Sequence, residues 1–211
     1  PSYNRAHLLP KTIPSYVQNR VAQIILVDDA SIDNTAEVIA DLQKRFPIIK
    51  YVRQQKNQKQ AAAKNTGIDL IETDWIYFGD DDSVLMPGSI DALYETAISY
   101  QADIVGAKAL YMDEADANPD TCVKRYNVLL PEGLPFADLR TLTANFSYSA
   151  LTPTEQVFIQ ASALVKSSYA RKIRFDPAYR GNAFREETDF FVRCHLAGAK
   201  IMYDSRAAQV N

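Results

Sequence analysis

The sequence predicts a single α/β domain in which helices cover a mostly parallel central sheet. Over the first half of the 211-residue chain, short apolar runs rich in β-branched residues alternate with stretches that carry a helical apolar stripe. The connections between these runs are short, which is typical of βαβ units. A hydrophobic content of 47% is enough to build one full core.

The predicted elements of the first half follow one another directly. Strands are predicted at 23–29 (QIILVDD), 48–54, 74–80 and 102–110. Helices are predicted at 33–46, 59–72 and 87–100, and Pro47 ends the first of them. The residues expected to face the core are Ala62, Ala63, Ile68 and Ile71 in the second helix, and Ile90, Leu93, Ala97 and Ile98 in the third.

The second half opens with a long excursion, 111–156, in which the periodic pattern weakens. Prolines and polar residues interrupt it, and one helix is predicted near Pro135–Thr143. A strand and a short helix are predicted over 157–173. A helix, a C-cap at Gly198 and a final strand follow over 185–204. Because neither a repeat nor a linker is visible, residues 1–211 are predicted to form one domain.

Composition argues against several classes of protein. A net charge of -3 and a pI near 5.4 disfavour a general nucleic-acid binder, which usually carries a basic face. The two cysteines, Cys122 and Cys194, provide neither a disulfide framework nor a zinc-ligand pattern. No apolar run approaches the ~20 residues that span a bilayer.

Acidic residues collect where predicted strands end. Asp28 and Asp29 end the first strand, and three consecutive aspartates, Asp80–Asp82, follow the apolar run of WIYFGDDD. Since ligands of α/β sheets bind beyond the carboxyl ends of the strands, one edge of the sheet would gather five carboxyl groups. Adjacent like charges repel one another, and a hard cation such as Mg²⁺ or Mn²⁺ would relieve that repulsion. The alternative, that these aspartates only form turns and helix caps, is less favoured for three in a row.

Two further stretches carry charged residues that suit ligand chemistry. Lys56, Lys59 and Lys64 surround a predicted helix start, where an anion could bind, although a solvated basic face is an equal alternative. The glycine-rich signatures of nucleotide hydrolases and dinucleotide-binding proteins are absent. REETDFF crowds Glu186 and Glu187 at the start of a helix, which suits the helix dipole but also offers a general base.

Taken in order, the motifs resemble those of glycosyltransferase family 2, whose members have the GT-A fold. The resemblance is carried by PSYNRA (1–6), ILVDDASIDNT (25–35), NQKQAAAKNTGI (57–68), FGDDDSVLMPGSI (78–90) and FDPAYRGNAFREETDFFVRCHLAG (175–198). Only the excursion 111–156 is unmatched. Each motif is modest, but five in the right order and spacing are specific.

The resemblance implies a role for each motif. Pro1 and Tyr3 would hold the nucleotide base, with Arg5 close by. The other implied donor ligands are Asp29 for the base, Lys59 and Lys64 for the base or diphosphate, and Asp81 for the ribose. Asp82, helped by Asp80, would bind Mn²⁺ or Mg²⁺. Glu187, beside Glu186, would be the base that deprotonates the acceptor hydroxyl.

The resemblance also implies a reaction. A sugar would pass from a UDP- or dTDP-sugar to a hydroxyl of a glycan or lipid-linked saccharide, in one displacement that inverts the anomeric centre. One base suffices for such a step, and the metal neutralises the leaving diphosphate. The implied location is the cytoplasm, with peripheral association with the inner face of the membrane as an open alternative.

The chain departs from the family pattern in two places. Gln60 stands where glycine is usual, and Lys64 stands where arginine is usual. The family's first strand is expected before Pro1, and a sheet without it would lack an inner strand. The excursion is expected to bind the acceptor, with aromatic side chains as candidates for stacking on sugar faces: Tyr126, Phe136, Phe146 and Tyr148.

Three other functions fit parts of the sequence. An inactive module that binds sugar nucleotides or glycans would keep Tyr3 and Asp29 but would give Glu187 and Asp82 no role. A nucleotidyltransferase would need a glycine-rich phosphate loop with a basic residue near the N-terminus, which is absent. A receiver-like signalling domain would also have acidic residues at a strand end, but it leaves REETDFF unexplained.

Overall fold

The computed structural model describes residues 1–160, 162–179 and 183–211. Its helices are α1 (Leu9–Thr12), α2 (Thr35–Arg45), α3 (Lys59–Asp69), α4 (Ser89–Ser99), α5 (Pro119–Arg125), α6 (Ser167–Ile173) and α7 (Glu186–Leu196). Its strands are β1 (Ile24–Asp28), β2 (Ile49–Arg53), β3 (Trp75–Phe78), β4 (Val84–Leu85), β5 (Ile104–Leu110), β6 (Ala137–Asp138), β7 (Thr143–Ala144), β8 (Thr154–Gln156), β9 (Ala163–Lys166) and β10 (Ile201–Val210). None of the helices in these ranges has the length and apolar character needed to cross a membrane.

The strands form one large mixed sheet and two separate pairs. The large sheet has six strands in the order β3-β9-β5-β10-β4, with β8 also paired to β10. Within it only β5 and β10 run parallel, whereas β9 is antiparallel to both β3 and β5. One separate pair, β1 and β2, is parallel, and the other, β6 and β7, is antiparallel. The α/β class is therefore confirmed.

The prediction of a mostly parallel sheet is wrong. Strand–helix alternation suggested parallel neighbours, and it holds as far as β5. After β5 the chain makes the excursion and returns as β9, which lies between β3 and β5 and is antiparallel to both. Nothing in the periodicity of a short apolar strand reveals its direction, so this reversal was invisible in the sequence.

Aromatic and aliphatic side chains fill the space between the large sheet and the helices α3, α6 and α7. Phe175 and Phe190 stack with their ring centroids 4.3 Å apart, and Phe78 meets both rings edge-on. On the other face, Leu93 and Ala97 of α4 pack against the sheet. This core fixes the end of β3 relative to the start of α7, which are the two places where the acidic motifs begin.

Three details differ from the predictions. Ile98 was expected to face inward but is 56% exposed, because it lies off the stripe that Ile90, Leu93 and Ala97 form on α4. In α3, Ala62 is only half-buried. The helix predicted near Pro135–Thr143 is absent from that described stretch, where β6 and β7 pair instead.

The excursion has its helix earlier, at α5. Asn118 caps α5 by accepting a hydrogen bond from the backbone N–H of Thr121, and the Thr121 hydroxyl accepts one from the N–H of Asn118. Pro119 occupies the first turn. The sequence Asn-Pro-Asp-Thr carries this signal for a helix start, and apolar periodicity alone does not reveal it.

A groove of about 660 Å³ separates β1 from β3. Pro1 is one of its lining residues, and the next residue, Ser2, pairs with β1, since its N–H donates to Val27 O and its carbonyl accepts from Asp29 N, both at 2.8 Å. Among the described strands, none other than β2 pairs with β1, and none other than β9 pairs with β3. The inner strand that the family resemblance implies stays a prediction.

Candidate active site

A cleft of about 890 Å³ runs along the ends of β1, β3 and β10. Nine of the eleven predicted site residues line it: Pro1, Tyr3, Arg5, Asp29, Lys59, Asp80, Asp81, Asp82 and Glu187. The other two, Lys64 and Glu186, are buried and are not among its lining residues. The structure thus brings distant motifs into one cleft, with Asp82 and Glu187 both on its wall.

Gly79 shapes the turn that leads from β3 into the three aspartates. A Cβ atom at this position would lie 2.5 Å from Cε1 of Tyr16, so only glycine leaves room for that ring. The Tyr16 hydroxyl donates to the carbonyl oxygen of Asp80 at 2.8 Å. Burial raises the pKa of Tyr16, so the phenol stays a hydrogen-bond donor under ordinary conditions. The buried Tyr16 hydroxyl therefore stabilises the backbone of the acidic loop, Asp80–Asp82.

The three aspartate side chains have different surroundings. Asp80 Oδ2 accepts from the side-chain amide of Gln209 at 3.0 Å, and Asp82 Oδ2 accepts from Arg5 Nη1 at the same distance. Asp81 Oδ2 is buried, with no hydrogen-bond partner within the described ranges. Burial raises the pKa of both Asp80 and Asp81, and the carboxylates of Glu187 and Asp82 raise that of Asp80 further against the pull of Lys64.

The donor set fits a hard divalent cation held mainly by its substrate. Asp80 and Asp82 provide carboxylate oxygens, which Mg²⁺ and Mn²⁺ prefer. Within the described ranges, no cluster of three or more His, Cys, Asp or Glu residues is arranged to hold a metal. Further ligands would therefore come from water and from phosphate oxygens, as is common for Mg²⁺.

Asp29 has a structural role that the sequence did not reveal. Its carboxylate accepts from the backbone N–H groups of Gln58 and Lys59, at 2.7 and 2.8 Å. These are the first amides of α3, whose own N-cap residue provides no side-chain hydrogen bond. Asp29 directly follows β1 and is 4% exposed. It caps α3 and is also a lining residue of the cleft. The predicted contact with a nucleotide base stays a prediction.

We expect Asp29→Ala to lower the free energy of unfolding by about 2 kcal/mol, because two amides lose a charged acceptor. Urea unfolding followed by circular dichroism measures this. Asp41→Ala is the matched control, since Asp41 is exposed and pairs with Lys44 on the surface. Equal stability of the two variants would show that Asp29 does not support α3.

Residues 1–6 are tied to the loop after β1 by a set of hydrogen bonds. The Asn4 side-chain carbonyl accepts from Ile32 N at 2.8 Å, and Asn4 N donates to the hydroxyl of Ser31 at 2.9 Å. Ala6 N donates to Asp33 at 3.2 Å. Residues 31–33 therefore hold residues 1–6 in place. Tyr3 lies at the cleft and is 42% exposed.

Asp28 does not join the acidic edge that the sequence predicted. Its side chain is fully buried and accepts from the Tyr51 hydroxyl at 2.7 Å and from Ser31 N at 2.8 Å. It is not among the lining residues of the cleft. The period of a strand turns neighbouring side chains to opposite faces, and this places Asp28 and Asp29 in different surroundings.

Glu187 and Glu186 begin α7 and share one cation. Lys64 Nζ lies 2.7 Å from Glu186 Oε1 and 3.4 Å from Glu187 Oε1. The side chains of Lys64 and Glu186 are 2% and 0% exposed, whereas that of Glu187 is 23% exposed and lines the cleft. The predicted contact of Lys64 with the nucleotide base or diphosphate stays a prediction, and in the structure its ammonium lies in a buried ion cluster.

The aromatic candidates for acceptor binding have other roles or positions. Phe146 is 1% exposed and packs against Phe136 and Tyr203 in the core. Neither Tyr126 nor Tyr148 is among the lining residues of the cleft. Besides Tyr3, two aromatic residues line it, Tyr111 at 64% and Phe184 at 72% exposure. Residues 180–182 of the last motif lie outside the described part of the chain.

Comparisons with known proteins place these features in a family. The family model described as "Glycosyl transferase family 2" matches residues 1–148. The chain is 38% identical over 111 residues to the GalNAc(5)-diNAcBac-PP-undecaprenol beta-1,3-glucosyltransferase of Campylobacter jejuni, a match that covers 50% of this chain and 35% of that relative. The chain thus spans little more than a third of that protein's length.

Solved structures show the same fold at low sequence identity. The S. aureus TarS fragment 1–349 in complex with UDP-GlcNAc matches 100% of this chain and 57% of its own, with a TM-score of 0.72 and 13% identity. The mannosyltransferase PcManGT of Pyrobaculum calidifontis, in complex with GDP-Man and Mn²⁺, matches 100% of this chain and 55% of its own, with a TM-score of 0.69 and 12% identity. The fold predicted from the motifs, GT-A, is confirmed.

Proposed function

Because the chain belongs to glycosyl transferase family 2, we propose that it transfers a sugar from a UDP- or dTDP-sugar to a hydroxyl of a glycan or lipid-linked saccharide, with inversion. The observation that carries this proposal is the shared cleft, which Asp80–Asp82 and Glu187 all line. A relative named for transfer to an undecaprenol-linked saccharide and a neighbour crystallised with UDP-GlcNAc support the choice of acceptor and donor.

Glu187 is the base in this proposal. Its carboxylate borders the cleft, it is partly exposed, and it can accept the proton of an acceptor hydroxyl as that oxygen attacks the anomeric carbon. The bond from the anomeric carbon to the diphosphate oxygen breaks in the same step. A single displacement inverts the anomeric centre, so the chain needs one base and no covalent sugar–enzyme intermediate.

Asp82 and Asp80 would hold a divalent cation, which when bound supplies positive charge that offsets the charge developing on the leaving diphosphate. Arg5 already contacts Asp82 at 3.0 Å, and its side chain is 43% exposed. An arginine in this position can donate to a phosphate oxygen without losing its place beside the carboxylate. Lys59 offers a second cation among the residues that line the cleft.

The nucleoside would occupy the part of the cleft nearest β1. Tyr3 provides an exposed ring for stacking on the base, and Pro1 lies next to it. Asp29 would accept from the base. Asp81 Oδ2 lacks a hydrogen-bond partner in the described protein and would accept from a ribose hydroxyl, which removes the cost of an unsatisfied buried oxygen.

A thermal-shift screen of nucleotides and sugar nucleotides, with and without Mn²⁺, tests this proposal. UDP or dTDP with Mn²⁺ at 100 times its Kd should stabilise the protein by about 2.7 kcal/mol. For a chain of this size that corresponds to a rise in Tm of about 5–10 °C. Each component alone should give a smaller rise. The same shift with GDP would overturn the choice of donor, and no shift with any nucleotide would overturn the proposal.

A further inference from the structure

Lys64 carries a buried positive charge beside the proposed base. It lies in the middle of α3, and its side chain is 2% exposed. Its ammonium contacts Glu186 Oε1 and Glu187 Oε1 and lies 4.9 Å from the centre of the Phe175 ring. Two carboxylates and an aromatic face surround it, so its interactions are with protein groups.

We propose that Lys64 is a positioning residue, which holds the Glu187 carboxylate in the orientation needed to take the acceptor proton. Glu186 serves as the buried counter-ion that keeps Lys64 in place. The role assigned to Lys64 rests on the proposed function, in which Glu187 is the base. It differs from the role that the family motif suggested, a contact with the donor diphosphate.

The charge balance of the cluster favours this role. Burial alone would lower the pKa of Lys64, but Glu187 and Glu186 outweigh burial and raise it, so the ammonium stays charged. A buried lysine is tolerated when carboxylates pair with it. One ammonium cannot neutralise two carboxylates, and of the two only Glu187 lines the cleft. Lys64 contacts Oε1 of Glu187, which leaves Oε2 available for the acceptor.

The two helices that carry the cluster are locked together. Asn65, next to Lys64, donates to Phe175 O at 2.8 Å and accepts from Phe175 N at 2.9 Å. From α7, Arg193 donates to the carbonyl oxygens of Ile173 and Arg174 at 2.8 and 2.9 Å. Side chains of α3 and α7 thus both hydrogen-bond to residues 173–175. This shared attachment restrains the distance between Lys64 and Glu187.

Lys59 provides the contrast that separates positioning from donor binding. It lies on the same helix as Lys64 but lines the cleft, and is exposed. A lysine that binds the diphosphate should be accessible from the cleft, and Lys59 meets that condition while Lys64 does not. The same substitution at the two positions should therefore change different kinetic constants.

The test compares Lys64→Met with Lys59→Met, using calorimetric titration with UDP and Mn²⁺ and steady-state kinetics with the sugar nucleotide that the wild-type protein turns over. Lys64→Met should lower kcat by about 10²-fold, because the base is misplaced, and should leave Kd for UDP within about threefold. Lys59→Met should mainly raise Kd and KM for the donor. Lys64→Arg keeps the charge and should recover part of kcat.

A second variant guards against loss of folding, since Lys64→Met leaves Glu186 buried without a partner. The double variant Lys64→Met with Glu186→Gln removes that uncompensated charge and should restore thermal stability without restoring kcat. If kcat returns together with stability, or if Lys64→Met weakens UDP binding as strongly as it slows turnover, the positioning role is wrong.

Crystal structures of the wild-type protein and of the double variant provide a measurement that does not depend on turnover. The Glu187 carboxylate should leave its position in the double variant, and an unmoved carboxylate would overturn the proposal. If the wild-type protein binds no nucleotide, the proposed function fails, and these two structures still decide whether Lys64 holds Glu187. Failure of the one is in this way distinguished from failure of the other.

Discussion

Replacing Glu187 with Gln is expected to lower kcat by about 10²–10⁴-fold, which is the usual contribution of a positioned general base. Glutamine has nearly the same shape, and its Oε1 can still accept from Lys64, but a neutral amide cannot take up the acceptor proton. The affinity for UDP should change by less than about twofold, because the substitution is isosteric. Steady-state kinetics and calorimetric titration with UDP measure the two effects.

Asp189→Asn is the matched control for this substitution. Asp189 lies on the first turn of the same helix, is partly exposed and pairs with Arg193, but it does not line the cleft. Its amide variant should keep kcat within about threefold of wild type. Loss of UDP affinity in parallel with kcat in Glu187→Gln would instead indicate that the substitution disturbs the cleft as a whole.

Replacing Asp82 with Ala should abolish most of the gain in UDP affinity that Mn²⁺ produces. Asp82 and Asp80 are the two carboxylates proposed to hold the cation, and removing one ligand of so small a set should weaken metal-dependent binding by at least about 10²-fold. Without metal, UDP should bind the variant no more weakly than wild type, since a negative charge near the diphosphate is removed. Titration of UDP with and without Mn²⁺ gives both values.

Asp91→Ala controls for the loss of an aspartate–arginine ion pair. Asp91 contacts Arg20 at 2.8 Å, much as Asp82 contacts Arg5 at 3.0 Å, but it lies on α4 and is not a lining residue of the cleft. Its removal should not alter the effect of Mn²⁺. An undiminished effect of Mn²⁺ in Asp82→Ala would mean that the cation is held elsewhere.

Local patterns in the sequence predicted most of the elements and where the acidic motifs meet. The apolar run before Asp28 and the one before Asp80 are strands, and the alanine-rich stretch after Lys59 is a helix. Such elements are fixed by periodicity and by capping residues that lie within a few positions of one another. The order of strands in the large sheet depends on distant contacts, so the antiparallel placement of β9 was not predictable.

The same distinction applies to the candidate site. Residue types identified which side chains could serve a sugar-nucleotide transferase, and most of them line one cleft. The capping of α3 by Asp29 and the burial of Lys64 against Glu186 join residues 29 and 122 positions apart in sequence. Interactions of this kind follow from how the elements pack, and a motif read along the chain does not contain them.

The groove between β1 and β3 has a mechanical consequence for the cleft. Tyr3 and Asp29 belong to the side of β1, whereas Asp80–Asp82 follow β3. In the described part of the chain no β-ladder crosses the groove, and side-chain contacts such as Arg5–Asp82 and Thr12–Asp81 bridge the two sides near their ends. A small hinge movement could therefore change the distance between the Tyr3 ring and Asp80–Asp82 without breaking any strand pairing. A donor that contacts both sides of the groove would restrict this movement and make the molecule more rigid.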